Sequence, residues 1–600
     1  MGEAKERELA SRQQLIEALR LETASGGLKV RWDGNAQATA LGQMAFFIEF
    51  LTVSGLFDQW VADCPLDYQS PNGSSRRDIL GTWLLSILSG HWRYAHVSAI
   101  RADAVNPRLL GMSGVVAEDT VRRALKAIDE TAGTEWLSGH LGRTVLGLLE
   151  APWILDVDVT IKPLYGKQQG AVLGYNPHKP GRPSHAYHSY QVCGLRLMLG
   201  VDVLAGNESH AQDTLPGLMK LLDSLPAHKR PKLVRGDAGL GVEPMLGALE
   251  ERGQRYLFKL RLTKNVKRYI EKLFWEQDWS ELKEGWEGRN GELKLNGWSR
   301  ARRVILLRRA LRGEALLADE SQGILGFIET DIAAKRYEYA VLVTDLRHEL
   351  LTMAQLYRDR ADAENTFDEL KNQWGWGGFT TQDLARCRLA ALAVALIYNW
   401  WSLFVRLGNP KARLEAITSR PFLLSAVARQ TTHSGEKHLS ITSQHAQANK
   451  AQSMLTVIHA LIHQFKAAAE QLKTKSVWQF VCEHILSTVA RFRPKVLRVL
   501  APPTPLLAPV NRFFLGSPIG TALGSNSDFD RAAIRRRSED VMNRLGDIIG
   551  LDHLASVKLP CGRDERRIDK PRKDDGDLDA VLPHFLVKRL GKSYQTEFTR

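Results

Sequence analysis

The stretch WILDVDVT at residues 153–160 alternates as a strand does, with Asp156 and Asp158 on one face and Val157 and Val159 on the other. A carboxylate on a buried strand is costly unless it is paired, hydrogen-bonded or holding a metal. This strand carries two, so its acids demand partners. A second apolar strand, KLVRGD at 232–237, ends in another aspartate, Asp237, and runs into the Gly-rich turn Ala238-Gly239-Leu240-Gly241.

Between these strands lie the loop GYNPHKPGRPSH (174–185), two strand-like runs (Tyr190–Leu195 and Leu197–Leu204) and a helix over Thr214–Leu225. His178, His185 and His188 read as solvated or hydrogen-bonded histidines. Three strands, a helix and a strand in this order predict an α/β protein whose core opens as a ribonuclease-H-like mixed sheet. From about 255 to 345 the pattern turns strand-rich and basic, clearest at RYLFKLRL, RRVILLRR and YEYAVLVTD, with Trp275, Trp279, Trp286 and Trp298 interspersed. Helices resume at Thr352 and continue to about 407.

Upstream, helices are expected at Arg77–Ser89, His96–Ala104 and 118–130, the last capped by Asp119 with Arg122, Arg123 and Lys126 near one another. A helix-turn-helix-like DNA-binding unit and a helical bundle with a solvated basic face both fit. The expected domains are a helical N-terminal DNA-binding region (1–150), the first part of the core (151–254), a β-rich insertion (255–345), the second part of the core (346–410), a helical C-terminal region (411–500) and a loosely ordered basic extension (501–600).

Bulk properties agree with a polyanionic partner. Of 600 residues, 81 are Lys or Arg against 67 Asp or Glu, a formal net charge of +14. The five cysteines form no CxxC pair and fit a reducing compartment. The N-terminal MGEAKERELASRQQ has no apolar core, so no leader is expected. The apolar run Leu389–Val405 is near the minimum for a membrane span, but Asn399 and Ser402 interrupt it. A buried core helix is expected, and no membrane.

The remaining acid comes from YRDRADAENTFDELK at 357–371. On a helix, at about 100° per residue, Tyr357, Arg360, Glu364 and Lys371 share an arc of about 60°. Exposed helices carry such charges for solubility as well. Set beside two strands ending in aspartate, however, the helix completes a set of three carboxylates, Asp158, Asp237 and Glu364. Such a set can hold two Mg²⁺ ions for in-line phosphoryl displacement. Arg360 would grip a DNA phosphate with its planar fork, and Lys371 would add a point charge.

The spacing Tyr357-x₂-Arg360-x₃-Glu364-x₆-Lys371 resembles the Y-x₂-R-x₃-E-x₆-K motif of the DDE transposases of bacterial insertion sequences, IS-four superfamily. The D-x-T at 158–160 looks like the first-aspartate motif and VRGDAGLG at 234–241 like the second, with Leu240 where members often carry an aromatic. Gly166-Lys167-Gln168 and the 174–185 loop resemble one branch of the group. The resemblance covers about residues 75–410. It implies catalytic and metal-ligating roles for Asp158, Asp237 and Glu364, and DNA contacts for Tyr357, Arg360 and Lys371. It also implies Mg²⁺ (Mn²⁺ in its stead), an insertion between the second aspartate and the glutamate, and a homodimer on double-stranded DNA. The DNA would be the element's terminal inverted repeats and its target, in the bacterial cytoplasm and on the nucleoid when bound. The D-x-T pattern favours Asp158 as first ligand, with Asp156 able to exchange roles with it. A transposase-derived DNA-binding protein without catalysis, or a nuclease without strand transfer, are the competing functions.

Overall fold

The computed structural model describes residues 19–67, 73–176, 179–310 and 337–489. The expected basic extension at 501–600 and His178 lie outside the described residues.

The chain opens with an exposed hairpin, β1 (Leu19–Thr23) and β2 (Gly26–Val30), and a short strand, β3 (Ala38–Thr39). A helical region follows, with α1 (Met44–Ser54), α2 (Arg76–Leu88), α3 (Glu118–Ala127) and α4 (Glu130–Leu146) as its main elements. Ser75 caps α2 by accepting from the Asp78 N–H, and Asp129 caps α4 by accepting from the Ala132 N–H. Asp119 is not the cap expected of it, because α3 begins after Ala117 and has no side-chain cap. The helix expected over 96–104 shrinks to the single turn Val97–Ile100. Beyond it the Asp103 carboxylate accepts from the Val105 and Asn106 N–H groups, a local bond that competes with helix continuation.

The chain then enters one sheet. β4 (Ile154–Pro163), β5 (Ser184–Val192) and β6 (Leu197–Ala205) are antiparallel neighbours. After α5 (Ala211–Ser224), β7 (Leu233–Gly236) lies parallel to β4. After α6 (Glu243–Glu251), β8 (Tyr256–Lys259) lies parallel to β7. Past α7 (Lys264–Phe274) come β9 (Ser280–Glu281), β10 (Trp286–Leu293), β11 (Arg302–Ala310) and β12 (Tyr337–Thr344), which continue the sheet antiparallel. The nine strands run in the order β6-β5-β4-β7-β8-β12-β11-β10-β9. The sheet therefore does not divide at the boundary drawn before residue 255. β8 pairs with β7 on one side and β12 on the other, so the strand-rich segment extends the central sheet.

The helices expected as one run from Thr352 to about 407 are three: α8 (Leu350–Arg358), α9 (Ala361–Asn372) and α10 (Leu384–Gly408). A short hairpin, β13 (Ala428–His433) and β14 (Glu436–Ile441), joins β3, and α11 (Ala448–Leu472) and α12 (Val477–Val489) close the described chain. The apolar run is α10, packed against α4 and β6, with 89% of its most apolar window buried. It is a core helix, as its interrupting polar residues suggest.

Side-chain alternation divides the β4 neighbourhood between two cores. Leu155 and Val157 join the main core, while Ile154 joins Leu233, Leu257 and Leu342 beneath Met353 and Leu356 of α8. The period of two places Asp156 and Asp158 on the α8 side with Ile154.

Candidate active site

Asp156 and Asp158 share a strand face and have different fates. Asp156 is 1% exposed and grips Arg235 of β7, also buried, through both carboxylate oxygens (Nε–Oδ1 2.5 Å, Nη2–Oδ2 2.7 Å). The same guanidinium donates to the Leu356 carbonyl of α8 and to Cys193 Sγ. Asp156 is thus spent on fixing two strands and a helix.

Asp158, one step further along, is free of that pair. Its Oδ1 accepts from the Val159 N–H at 2.9 Å and lies 3.2 Å from Arg360 Nη2. The parallel register pairs Asp156 with Arg235 and Val157 with Gly236, so Asp237 follows on beside Asp158. Gly236 permits this turn. A Cβ there would lie 2.5 Å from Leu240 Cδ1 and 3.1 Å from the Val157 carbonyl. Buried Leu240 plugs the turn from below, and the Asp237 carboxylate accepts from the Gly239 N–H at 2.9 Å.

Glu364 comes from α9. The helix expected to carry Tyr357, Arg360, Glu364 and Lys371 as one stripe breaks at Asp359–Arg360, where the Arg360 N–H bonds the Tyr357 carbonyl at 3.1 Å. Arg360 becomes the N-cap residue of α9. Its fork reaches Asp158 with Nη2 and Glu364 Oε1 with Nη1, the latter at 2.8 Å. Burial pushes the Asp158 carboxyl up to about 7, with Asp237 and Glu364 driving the same way against Arg360 and the Val159 N–H. Burial likewise raises the Tyr357 phenol to about 12 and lowers Lys371, whose charge Asp158 and Asp368 favour. All six residues expected at the site therefore meet where β7 ends beside the middle of β4, which runs on past Asp158 to Pro163 and does not end at that aspartate as the sequence suggested.

No curated protein matches this sequence. The family described as Transposase DDE domain group 1 matches residues 51–463. The chain belongs to that family.

The matched DDE domain spans the whole sheet and all six residues. Among solved structures, a piggyBac transposase synaptic complex with hairpin DNA aligns over 82% of this chain and 88% of its own, at 11% identity and a TM-score of 0.29.

Two clefts open beside Asp237 and Glu364. One is lined by Thr160, Tyr175, Asp237, Arg261 and Lys371. Arg261 escaped the sequence reading, although it ends the basic run RYLFKLRL just past β8. The other cleft lies between the strand-rich segment and the two helices, lined by Trp286, Tyr339, Tyr357, Arg360 and Glu364. The four tryptophans now separate. Trp298 is buried, Trp279 lies under Arg308 at 3.9 Å, Trp275 is exposed, and half-buried Trp286 lines the Glu364 cleft with Arg309 over its ring. His185 and His188 are buried structural groups, His185 against the Gln169 carbonyl and His188 between Thr214 Oγ1 and the Glu208 carbonyl. Arg122, Arg123 and Lys126 are exposed along α3, with Arg122 3.8 Å from Asp119.

Proposed function

We propose that this chain is the transposase of a bacterial insertion sequence of the IS-four superfamily. It would bind its element's terminal inverted repeats and carry out cleavage and strand transfer. The observation that carries this reading is the convergence of Asp158 in mid-β4, Asp237 just past the end of the parallel β7, and Glu364 of α9, with Arg360 spanning two of them. The order of β6-β5-β4-β7-β8 supports a ribonuclease-H-like core, to which β9–β12 add the insertion.

The donor set fits a divalent cation. Three carboxylates offer the hard oxygens that Mg²⁺ or Mn²⁺ takes. Burial, with Asp237 and Glu364 beside it, raises the Asp158 carboxyl against Arg360, so a cation among the three acids would favour its ionised form. Asp158, Asp237 and Glu364 are the residues that would hold the metal. Its chemistry is to activate a water or 3′-hydroxyl and stabilise the leaving oxygen. Arg360 would present its fork to a DNA phosphate. Lys371 adds a point charge from the Asp237 cleft, and Tyr357 closes the Glu364 side. The working assembly would be a homodimer on double-stranded DNA, in the bacterial cytoplasm and on the nucleoid, without a membrane.

The test uses DNA carrying the inverted repeats that flank the gene. Glu364→Gln should bind these ends as the parent does and lose cleavage by roughly 10²–10³-fold or more, the scale of removing one transition-state contact. Chelation should likewise stop cleavage and spare binding. Undiminished cleavage by Glu364→Gln removes the catalytic assignment. Cleavage without joined product reassigns the chain as a nuclease.

A further inference from the structure

Away from the DDE carboxylates, α11 carries His459 and His463 four residues apart, a spacing that sets both rings on one helix face. That face meets α1, where Glu49 is the one charged residue of a helix whose Phe47, Ile48 and Phe50 are buried. His459 Nδ1 lies 2.8 Å from Glu49 Oε2, and His463 Nε2 lies 3.1 Å from Glu49 Oε1. The ring centroids are 4.3 Å apart and the rings are tilted by 56° rather than stacked. Phe46 sets its edge against His459 at 6.5 Å.

All three ligand atoms lie within 4.8 Å of one another. Ligand atoms in a tetrahedral zinc site sit about 3.3–3.4 Å apart, given metal–ligand bonds of about 2.0–2.1 Å. The Glu49 contacts, at 2.8 and 3.1 Å, are shorter than that separation by about half an ångström or less, so side-chain rotation alone could open them around an ion. Two borderline imidazoles with one hard carboxylate make a mixed donor set suited to Zn²⁺ and unlike the all-carboxylate DDE set. Both histidines are exposed, which leaves the fourth position open to solvent.

We propose that Glu49, His459 and His463 form a second metal site, specific for a divalent transition metal such as Zn²⁺. The site ties the N-terminal helix α1 to the C-terminal helix α11, 410 residues away in sequence. It shares no ligand with the Asp158, Asp237 and Glu364 centre.

The experiment uses full-length, metal-stripped Asp158→Asn protein, so that the DDE carboxylates contribute little. Titration with Co²⁺ should give one equivalent with the visible absorption of a four-coordinate ion, displaced by Zn²⁺. His459→Ala, His463→Ala and Glu49→Gln should each weaken binding by about a hundredfold or more, beyond the usual effect of removing an outer partner. His463→Cys, which keeps a ligand, should retain binding and add a thiolate-to-cobalt charge-transfer band. Circular dichroism checks that each variant is folded. The proposal fails if no equivalent binds at micromolar Co²⁺. It also fails if the alanine variants bind as the parent does, or if His463→Cys shows no new band. In those cases the three side chains are a hydrogen-bonded cluster alone.

Discussion

Two carboxylates two residues apart on β4 do opposite work, and partners on other strands decide which. Asp156 and Arg235 form a pair fully out of solvent. Removing one member leaves an uncompensated buried charge, at a cost of about 3–5 kcal/mol. Asp156→Ala and Arg235→Ala should each lower unfolding stability by that amount in urea, an effect Asp158→Asn should not show. Asp158 has the reverse economy. Its folded carboxyl stands near 7, above the ordinary value of 3.8, so the native state holds its proton longer than the unfolded chain. The stability this proton linkage gives is present below pH 3.8 and is lost as pH rises through about 7. In metal-free protein, Asp158→Asn should therefore gain thermal stability over the parent above pH 7, a gain that shrinks towards pH 4. An Asn variant less stable than the parent at pH 8 would refute this account of the site. The alternation in WILDVDVT shows that the two acids share a face. It cannot show which one is paired, because Arg235 becomes a neighbour only through the parallel register of β4 and β7.

At the scale of elements, runs of apolar and β-branched residues were readable, and polar or Gly-bearing ones were not. KLVRGD and YEYAVLVTD contain the observed strands, while WILDVDVT and RRVILLRR stop short of theirs, β4 running on to Pro163 and β11 to Ala310. β10, WEGRNGEL, has neither alternation nor bulk and is held by pairing with β11. The amphipathic α7 was hidden inside a segment read as strand-rich. The stripe of Tyr357, Arg360, Glu364 and Lys371 was right in spacing, yet the helix beneath it breaks at Arg360, whose side chain is drawn to Asp158. The polar interruption of α10 has an equally specific cause. β6 is an edge strand, and its register slips by one residue at Tyr190/Gln191. Buried Asn399 serves that edge, accepting from the Met198 N–H at 2.8 Å and donating to the Met198 carbonyl at 2.7 Å. Asn399→Leu should leave both backbone groups buried and unpaired, at about 1–3 kcal/mol each. Thermal and urea unfolding should register a loss of several kcal/mol. A neutral or stabilising result would mean that water reaches the β6 edge.

At the scale of the molecule, sequence supplied the charge balance, the succession of elements and the order of the three acids. It did not supply the continuity of the sheet from β6 to β9. That depends on β12 choosing the free edge of β8, a pairing between segments far apart in sequence. The same long-range packing makes stability depend on acidity. His140 of α4 is buried, and burial lowers it from 6.5 to about 4. Arg143 acts in the same direction and Asp63, 3.3 Å away, opposes both. His91, beside Ser86 Oγ, is lowered to about 4 by burial, with His96 and Arg420 adding to the effect. Both rings are therefore neutral in the folded chain over a range where the unfolded chain takes up protons. The stability they contribute is complete above pH 6.5 and is lost as pH falls towards about 4. For His140 the slope can approach about 1.4 kcal/mol per pH unit, the value for one linked proton. Urea unfolding midpoints of the parent should fall steadily between pH 7 and pH 4.5. His140→Asn and His91→Asn should each flatten that slope whatever they do to stability at pH 7, because the readout is the pH dependence and not the midpoint itself. A slope unchanged in both variants would assign the acid sensitivity to other groups.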